Sequence, residues 1–333
     1  MSGHWKVLVT DYAWEDLAEE RAILEAVGAS LVVAETGEEA ELIGLAADVD
    51  GILTNWKRVT SGVLNAALRC QSVGRLGIGL DNIDVACATT LGMVVTNVPA
   101  YCLDEVSDHA MGMILACSRK IAFYDRAAKS GIYDLRSGTP LYRLAGKTLG
   151  IFGFGKIGRV LARKAAAFGM RVLASDPLLT PEQAREAGVA LVSFDALLGE
   201  SDFISIHAPL MDATRRIFLR DVFRRMKPTA YLINTARGEI VDTGALIAAL
   251  DDGLLAGAGL DVFPVEPPPV DDPVLRHPKI VVTPHAAFNS VESLIELRRI
   301  AAKQMAQILA GIRPDFIVNP QVLGQSNLRA KFQ

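Results

Sequence analysis

Short runs of β-forming residues alternate with helical patterns along almost the whole chain, and no other feature of the sequence limits the fold as strongly. The first series has β-rich runs at 6–10, 30–34 and 51–54 and continues through runs at 72–76, 83–90 and 93–97. A second series opens at 148–152, after a long helical stretch that follows Tyr101. Strands that alternate with helices form parallel sheets covered by helices. The pattern therefore predicts an α/β protein with two such sheets.

The two series indicate two lobes. A length of 333 residues exceeds what one hydrophobic core usually organises. After the last predicted strand, at 280–283, the chain continues with one long helical pattern at 291–310. Because that helix is too little to fold alone, we expect it to return and pack on the first lobe. The first domain then comprises residues 1–99 and 288–333, and the second comprises residues 100–287.

The composition narrows the classes of partner. Half of the residues are hydrophobic and 22% are charged, as in a compact globular protein. A formal net charge of -4 gives no global attraction for nucleic acid or an anionic membrane, and no window is apolar enough for a membrane span. We therefore expect a cytoplasmic protein that binds neither. No residues have metal-ligand spacing, so no metal is expected, and the four cysteines are expected to be reduced.

One glycine-rich turn in the second series has the pattern GxGxxG. Its glycines are Gly153, Gly155 and Gly158, with Lys156 and Ile157 between the last two. An apolar run precedes the turn and a helical pattern follows it, which is the order strand, turn and helix. In such turns the glycines permit a tight bend, close approach to a pyrophosphate, and packing of the helix on the strand. A glycine-rich turn without a ligand is the alternative, but the context favours a dinucleotide site formed by these five residues.

The cofactor can be narrowed further. The strand predicted at 170–175 leads into Asp176, whose carboxylate could accept hydrogen bonds from an adenosine ribose and would repel a 2′-phosphate. Pro177 and Leu178 follow, so no adjacent Arg or Lys could accommodate that phosphate. The sequence predicts NAD rather than NADP, with a surface aspartate that merely caps a turn as the alternative.

Three further segments follow predicted strands and contain Arg237, Glu266 and His285. In an open α/β sheet ligands bind at the carboxyl ends of the strands, so the three side chains could share one crevice. Taken singly, each has an ordinary explanation: a surface arginine, a solvated acidic loop, or a histidine satisfied by backbone groups. Together they supply a guanidinium for a carboxylate, a histidine that exchanges a proton, and a carboxylate that orients the histidine. That combination suits the reduction of a 2-oxo acid.

These motifs, in this order, resemble the D-isomer-specific 2-hydroxyacid dehydrogenase family from Val7 to about Val322. The resemblance implies two Rossmann-like lobes: a flavodoxin-like substrate domain made from both chain ends, and an inserted, doubly wound NAD-binding domain. It implies hydride transfer between NAD(H) and a small 2-oxo or 2-hydroxy acid such as glyoxylate or hydroxypyruvate. His285 would be the acid/base, Glu266 its partner, and Arg237 the substrate anchor.

The resemblance also assigns binding residues outside this trio. Backbone N–H groups near Ile78 and Gly79, together with Arg75, are expected at the substrate, although an ordinary strand-to-helix turn is the alternative there. Further cofactor contacts are expected from residues at strand ends, namely His207, Pro209, Thr235, Ala236 and Asp261. His109 is expected to have a structural place in its helix, and His4 and His277 have no context that favours chemistry.

Within the family the motifs are most similar to the C-terminal-binding-protein and phosphoglycerate-dehydrogenase-like branch. Phe288 departs from the C-terminal-binding type by standing where that type has tryptophan. Members of the C-terminal-binding type act as transcriptional corepressors, so an NAD(H)-gated interaction protein is a second hypothesis. A family member with an unusual substrate, such as phosphite, is a third. The resemblance further predicts a homodimer, with apolar surface supplied by Ala110, Met111, Ile114 and Leu115.

Overall fold

The computed structural model describes residues 5–333 and divides the chain into two compact units. The first unit comprises Met1–Tyr101 and Ser290–Gln333, and the second comprises Cys102–Asn289. Residues from both ends of the described range therefore belong to the first unit. His4 lies outside the described residues. Within residues 5–333, no helix is both long and apolar enough to cross a bilayer.

The units are built from twelve strands, thirteen α-helices and three short 3-10 helices among the described residues. The strands are β1 (Trp5–Val9), β2 (Ala29–Val33), β3 (Gly51–Thr54), β4 (Ser72–Arg75), β5 (Val94–Thr96), β6 (Thr148–Phe152), β7 (Arg171–Ser175), β8 (Ala190–Leu191), β9 (Phe203–Ile206), β10 (Tyr231–Asn234), β11 (Gly257–Leu260) and β12 (Ile280–Val282). The helices are α1 (Ala18–Glu25), α2 (Glu39–Ala46), α3 (Ser61–Ala66), α4 (Val85–Thr90), α5 (Leu103–Ser118), α6 (Ile121–Lys129), α7 (Lys156–Ala167), α8 (Pro181–Glu186), α9 (Phe194–Glu200), α10 (Arg220–Phe223), α11 (Thr243–Asp251), α12 (Pro273–Arg276) and α13 (Val291–Leu309). The 3-10 helices span Leu135–Gly138, Gly238–Ile240 and Pro320–Gly324.

The first unit contains a parallel five-stranded sheet. Its strand order, β2-β1-β3-β4-β5, is the flavodoxin-like order, which confirms the predicted fold of this lobe. The strands β3, β4 and β5 are buried along their full length, as expected for a parallel sheet covered on both faces. The C-terminal helix α13 belongs to this unit, where Arg298 binds the fully buried carboxylate of Glu20 on α1.

The second unit contains a parallel seven-stranded sheet in the order β12-β11-β10-β9-β6-β7-β8. The strands β6 to β11 follow the doubly wound order of dinucleotide-binding folds, and β12 is added next to β11 at one edge of the sheet. Phe152 at the end of β6 lies in register with Ser175 of β7 and Ile206 of β9. The segments that follow these strands therefore emerge at one edge of the sheet. The order reverses around β6, which is where such sheets bind ligands.

The apolar residues of α5 serve the core of the second unit. Ala110, Met111 and Ile114 are at most 4% exposed, and Leu115 packs against the same hydrophobic cluster. The prediction that these residues supply a dimer surface is therefore wrong. The physical reason is that α5 packs on α7 and on the sheet, so its apolar stripe is covered within its own unit.

The four cysteines, Cys70, Cys87, Cys102 and Cys117, are free. Burial raises the pKa of the Cys70 and Cys117 thiols to about 12. These two side chains are therefore protonated and unreactive at neutral pH.

Candidate active site

The glycine-rich turn joins β6 to α7, and each glycine has a distinct geometric reason. Gly153 has a positive φ of 89°, and a Cβ there would lie 2.4 Å from the backbone nitrogen of Ala208. A Cβ on Gly158 would lie 2.8 Å from the carbonyl oxygen of Gly153. Gly155, by contrast, faces open space at the start of the helix. The exposed N-terminus at Lys156 and Ile157 thus offers backbone donors suited to a phosphate.

Asp176, at the end of β7, supports this turn. Its Oδ2 accepts a hydrogen bond from the backbone nitrogen of Phe154 at 2.7 Å, and its Oδ1 accepts one from Leu178 at 2.8 Å. A carboxylate has about four acceptor sites, so both oxygens retain capacity for ribose hydroxyls. The side chain is only partly buried and remains accessible for that contact.

His207 follows β9 and lies against the same turn. Its backbone nitrogen donates to the carbonyl oxygen of Phe152 at 2.8 Å, and its Nε2 lies 2.8 Å from the Ser205 hydroxyl. Burial lowers the pKa of His207 to about 4, so the ring is neutral at pH 7. A neutral ring suits a polar binding contact. Pro209, two residues on, is exposed.

The segment after β10 is shaped by the buried amide of Asn234. Its Oδ1 accepts from the backbone nitrogen of Ala236 at 3.0 Å, and its Nδ2 donates to the carbonyl oxygen of Arg237 at 2.9 Å. The hydroxyl oxygen of Thr235 is buried and has no hydrogen-bond partner among the described residues. A buried polar atom left without a partner usually marks a place for water or a ligand. With the open glycine turn, it fits a dinucleotide bound along these strand ends.

His285 and Glu266 form a direct pair, although nineteen residues separate them in sequence. The Nδ1 of His285 lies 2.6 Å from Oε2 of Glu266, and the other oxygen, Oε1, accepts from the backbone nitrogen of Phe263 at 2.9 Å. An ionised carboxylate is only an acceptor, so the proton of this contact belongs on Nδ1. The pair leaves Nε2 of His285 as the ring nitrogen that can exchange a proton.

Glu266 is held in its ionised form. Burial acts to raise its pKa, but the hydrogen bond and charge of His285, the Phe263 N–H and the charge of Arg237 together lower the pKa below the usual glutamate value. The net effect keeps a negative charge beside the imidazole at neutral pH. Arg237 is therefore close enough to act on this pair electrostatically.

Gly238 brings the arginine segment against the glutamate segment. A Cβ on Gly238 would lie 2.0 Å from the carbonyl carbon of Phe263, so the two backbones are in contact there. Arg237 directly precedes this contact, and Glu266 follows it by three residues. The structure thus brings together Arg237, Glu266 and His285, which the sequence predicts as one site.

Asp261 is fully buried, and its carboxylate accepts hydrogen bonds from the segment that carries His285. Its Oδ1 accepts from the Thr283 hydroxyl at 2.5 Å and from the backbone nitrogen of Ala286 at 2.9 Å. Its Oδ2 accepts from the backbone nitrogen of Ala287 at 2.9 Å. The sequence predicts a cofactor contact for Asp261, and the structure gives this residue a bracing role in addition.

Of the predicted substrate residues of the first unit, Arg75 is the last residue of β4, and Ile78 and Gly79 lie in the loop that follows. Arg75 is 8% exposed, and its guanidinium donates to the Asn55 side chain and to the carbonyl oxygen of Leu76. The carbonyl oxygen of Ile78 accepts a hydrogen bond from the side chain of Asn97. Ile78 and Gly79 are both partly exposed. Direct contact of Arg75 with a substrate stays a prediction.

Several residues that shape the site are absent from the sequence-based predictions. Asn234 directly precedes the predicted site residue Thr235, and Gly238 directly follows Arg237. Their places next to predicted site residues are the only indication that the sequence gives of their importance. Nothing in the sequence indicated that Thr283 and His109 contact Asp261, because these contacts join three distant segments. Within residues 5–333, no three His, Cys, Asp or Glu side chains are grouped so that they could hold a metal ion.

Comparison with known proteins identifies the class. The family model that matches residues 111–287 is described as D-isomer specific 2-hydroxyacid dehydrogenase, NAD binding domain. Glyoxylate reductase of Korarchaeum cryptofilum is 39% identical over 268 residues, which is 80% of this chain and 81% of that protein. D-3-phosphoglycerate dehydrogenase of Methanocaldococcus jannaschii is 37% identical over 327 residues, which is 97% of this chain but only 61% of that protein.

A solved structure extends the comparison to the fold. D-lactate dehydrogenase from Aquifex aeolicus, complexed with NAD and lactic acid, superposes with a TM-score of 0.82 at 29% identity and covers 92% of this chain and 96% of that one. The doubly wound sheet, the glycine turn and the matching NAD-binding domain define an NAD-dependent oxidoreductase. The chain belongs to the D-isomer-specific 2-hydroxyacid dehydrogenase family.

Proposed function

We propose that the protein reduces small 2-oxo acids, with glyoxylate and hydroxypyruvate as the preferred class, and uses NADH. The observation that carries this proposal is the His285–Glu266 pair, with Nδ1 bound to the carboxylate and Arg237 close enough to act on it. Bound NADH supplies the hydride to C2 of the acid. The chain must then provide a proton, a charge complement for the substrate carboxylate, and a fixed orientation.

His285 provides the proton in this proposal. Nδ1 donates to Glu266, so Nε2 faces the reaction and passes its proton to the carbonyl oxygen as the hydride arrives at C2. Reduction requires the imidazolium form of His285, because Nδ1 keeps its proton toward Glu266 while Nε2 gives one up. Oxidation of the 2-hydroxy acid runs the same steps backwards, with neutral His285 as the base.

Arg237 provides the charge complement. A guanidinium binds a carboxylate through two parallel hydrogen bonds, which orients the acid as well as neutralising it. We assign a second substrate contact to the backbone N–H groups of Ile78 and Gly79, supported from beneath by Arg75. We assign the cofactor to the glycine turn, Asp176, His207, Pro209, Thr235, Ala236 and Asp261.

The preference for small acids is supported by the relatives, three of which are glyoxylate reductases at 38% to 39% identity to this chain. The chain matches 81% to 86% of three glyoxylate reductases, whereas its matches cover 45% to 61% of the phosphoglycerate dehydrogenases from Arabidopsis thaliana and two archaea. Glyoxylate and hydroxypyruvate therefore head the candidates.

A panel of acids tests the proposal. NADH absorbance is followed with glyoxylate, hydroxypyruvate, phosphohydroxypyruvate, pyruvate and a branched 2-oxo acid in turn. One control replaces NADH by NADPH, and a second offers phosphite together with NAD. We expect the highest kcat/KM with glyoxylate or hydroxypyruvate. A preference for the phosphorylated acid would contradict the substrate class. NADH binding without turnover of any acid would favour the NAD-gated interaction protein instead.

We also propose that residues 1–99 and 288–333 form the substrate domain and that residues 100–287 form the NAD-binding domain.

We further propose that the protein is a cytoplasmic homodimer. The dimer is supported by exposed apolar side chains between α6 and residue 142, with Tyr133 98% and Leu135 78% exposed. Isologous pairing would cover such a surface. Sedimentation should give twice the chain mass of 35.7 kDa. A single species at the chain mass at micromolar protein would refute the dimer.

A further inference from the structure

His109, on α5, takes part in a line of hydrogen bonds that ends at the segment of His285. Its Nε2 lies 2.9 Å from the hydroxyl oxygen of Thr283, which lies 2.5 Å from Oδ1 of Asp261. The direct distance from His109 Nε2 to Asp261 Oδ1 is 3.5 Å. All of these residues belong to the second unit. None of them carries the proton in the proposed reaction.

The direction of each hydrogen bond follows from the chemistry of the groups. The other partners of the Asp261 carboxylate are backbone N–H donors from Ala286 and Ala287, so this side chain acts as an acceptor throughout. The hydroxyl of Thr283 has one proton, and its short contact assigns that proton to Asp261. The hydroxyl oxygen must then accept from His109. The Nε2 tautomer of His109 is therefore the one that completes the line.

The segment braced by Asp261 is one that needs bracing. His285 has a φ of +52°, in the left-handed region that non-glycine residues rarely adopt. Its backbone nitrogen donates to the carbonyl oxygen of Asp261 at 2.7 Å and to that of Thr283 at 3.1 Å. Such a conformation persists only where the surroundings determine it in several ways. Asp261 supplies contacts to three consecutive residues, from His285 to Ala287.

We propose that His109 is a positioning residue for His285. By donating to Thr283, it holds the threonine hydroxyl in the orientation that donates to Asp261, and it joins the His285 segment to α5. Loss of the donor would free the Thr283 hydroxyl to turn away, and the imidazole of His285 would sample wrong positions. This inference rests on the proposed role of His285, because positioning matters only if that ring takes part in the reaction.

Replacement of the donor tests the proposal. His109→Leu removes the donor, whereas His109→Gln places an amide N–H near the position of Nε2. We expect His109→Leu to lower the single-turnover rate of oxo-acid reduction roughly tenfold, since small misplacements of reacting groups are costly. NADH affinity and the thermal midpoint should stay near the wild-type values, and His109→Gln should restore most of the rate. His277→Leu is the matched control, because His277 contacts Asp251 and the backbone of Lys279, away from this line.

A second pair of variants guards against misfolding. Thr283→Val breaks the line at its centre, and Thr283→Ser retains the hydroxyl, so only the first should slow the reaction. Wild-type rates for both His109→Leu and Thr283→Val would overturn the proposal. So would a His109→Gln variant as slow as His109→Leu, or a loss spread over NADH affinity and thermal stability without a selective fall in rate.

Failure of the inference can be told apart from failure of the proposed function. In a His285→Ala background, His109→Leu should cause no further loss of rate, because there is no ring left to position. If His285→Ala alone reacts at the wild-type rate, the proposed role of His285 is wrong. If His285→Ala is slow and His109→Leu slows it tenfold further, His109 acts by another route and this inference is wrong.

Discussion

Gly238 is the point where the segments carrying Arg237 and Glu266 touch, and Gly238→Ala perturbs that contact with a single methyl group. The added Cβ would lie 2.0 Å from the carbonyl carbon of Phe263 and 2.4 Å from its oxygen and from the nitrogen of Pro264. All three are backbone atoms, so no side chain can turn away to relieve the overlap. Separating the atoms to ordinary contact distance requires a backbone shift of more than about 1 Å.

Two consequences follow from a shift of that size. Overpacking costs about 1–3 kcal/mol and occasionally more, and the rigid neighbours place Gly238→Ala at the upper end. For a domain of 150–250 residues, about 3 kcal/mol corresponds to a fall of roughly 6–12 °C in Tm. A displacement of about 1 Å between reacting groups also costs roughly a hundredfold in rate. We therefore expect both a lower Tm and a kcat reduced about a hundredfold.

The assay compares Gly238→Ala with Gly244→Ala in the same unit. The nearest atom to a Cβ on Gly244 is Asp242 Oδ1 at 3.5 Å, which is an ordinary contact, and Gly244 lies in α11. Alanine there should stabilise the helix by about 0.5–1 kcal/mol and leave kcat unchanged. Calorimetry and steady-state kinetics on both variants give the comparison. A Gly238→Ala protein with wild-type Tm and kcat would refute the proposed contact between the two segments.

Three further predictions concern charge. Asp176→Ala should weaken NADH binding by roughly ten- to hundredfold, or about 1.5–3 kcal/mol, and narrow the gap to NADPH; equal use of both cofactors by the wild type would contradict the assignment. Glu266→Gln removes the negative charge that faces Nδ1 of His285, so the single-turnover rate of reduction should fall, and a wild-type rate would count against the pair. His207 has a pKa of about 4 when folded against 6.5 ordinarily, so the unfolded state gains a proton first and stability should fall from pH 6.5 toward 4. For this partly buried ring, the decrease in the free energy of unfolding should stay below about 3 kcal/mol. Denaturant titrations at both pH values should show a smaller decrease for His207→Gln than for the wild type.

The fold was largely predictable because its signals are local. The β-rich runs and the glycine turn depend on neighbours within a few residues, and the strand boundaries at 51–54 and 148–152 agree with the structure. The β-rich run predicted at 83–90 is wrong, because most of it forms the helix α4. The doubly wound order also explains why Arg237, Glu266 and His285 converge: each follows a strand of one sheet. Parallel strands deliver the residues after them to the same edge.

The rest depended on contacts between distant segments. The periodicity of α5 shows an apolar stripe, but not whether a partner chain or its own sheet covers it, and the structure assigns Ala110 and Ile114 to the core. Asp261 could be recognised as a polar residue at a strand end. Its hydrogen bonds to the segment after Val282 depend on the left-handed backbone conformation of His285. Nothing in the composition of that segment indicates this conformation.

The central claim is that His285, paired with Glu266, donates the proton in reduction. Its most direct test is the single-turnover rate of NADH oxidation by His285→Ala with the best acid of the panel, at saturating cofactor and acid. The account predicts a fall of about 10²–10⁴-fold, with the Kd for NADH within a fewfold of wild type. A variant that oxidises NADH at the wild-type rate, under conditions where a deuterated cofactor shows hydride transfer to be rate-limiting, would contradict the account.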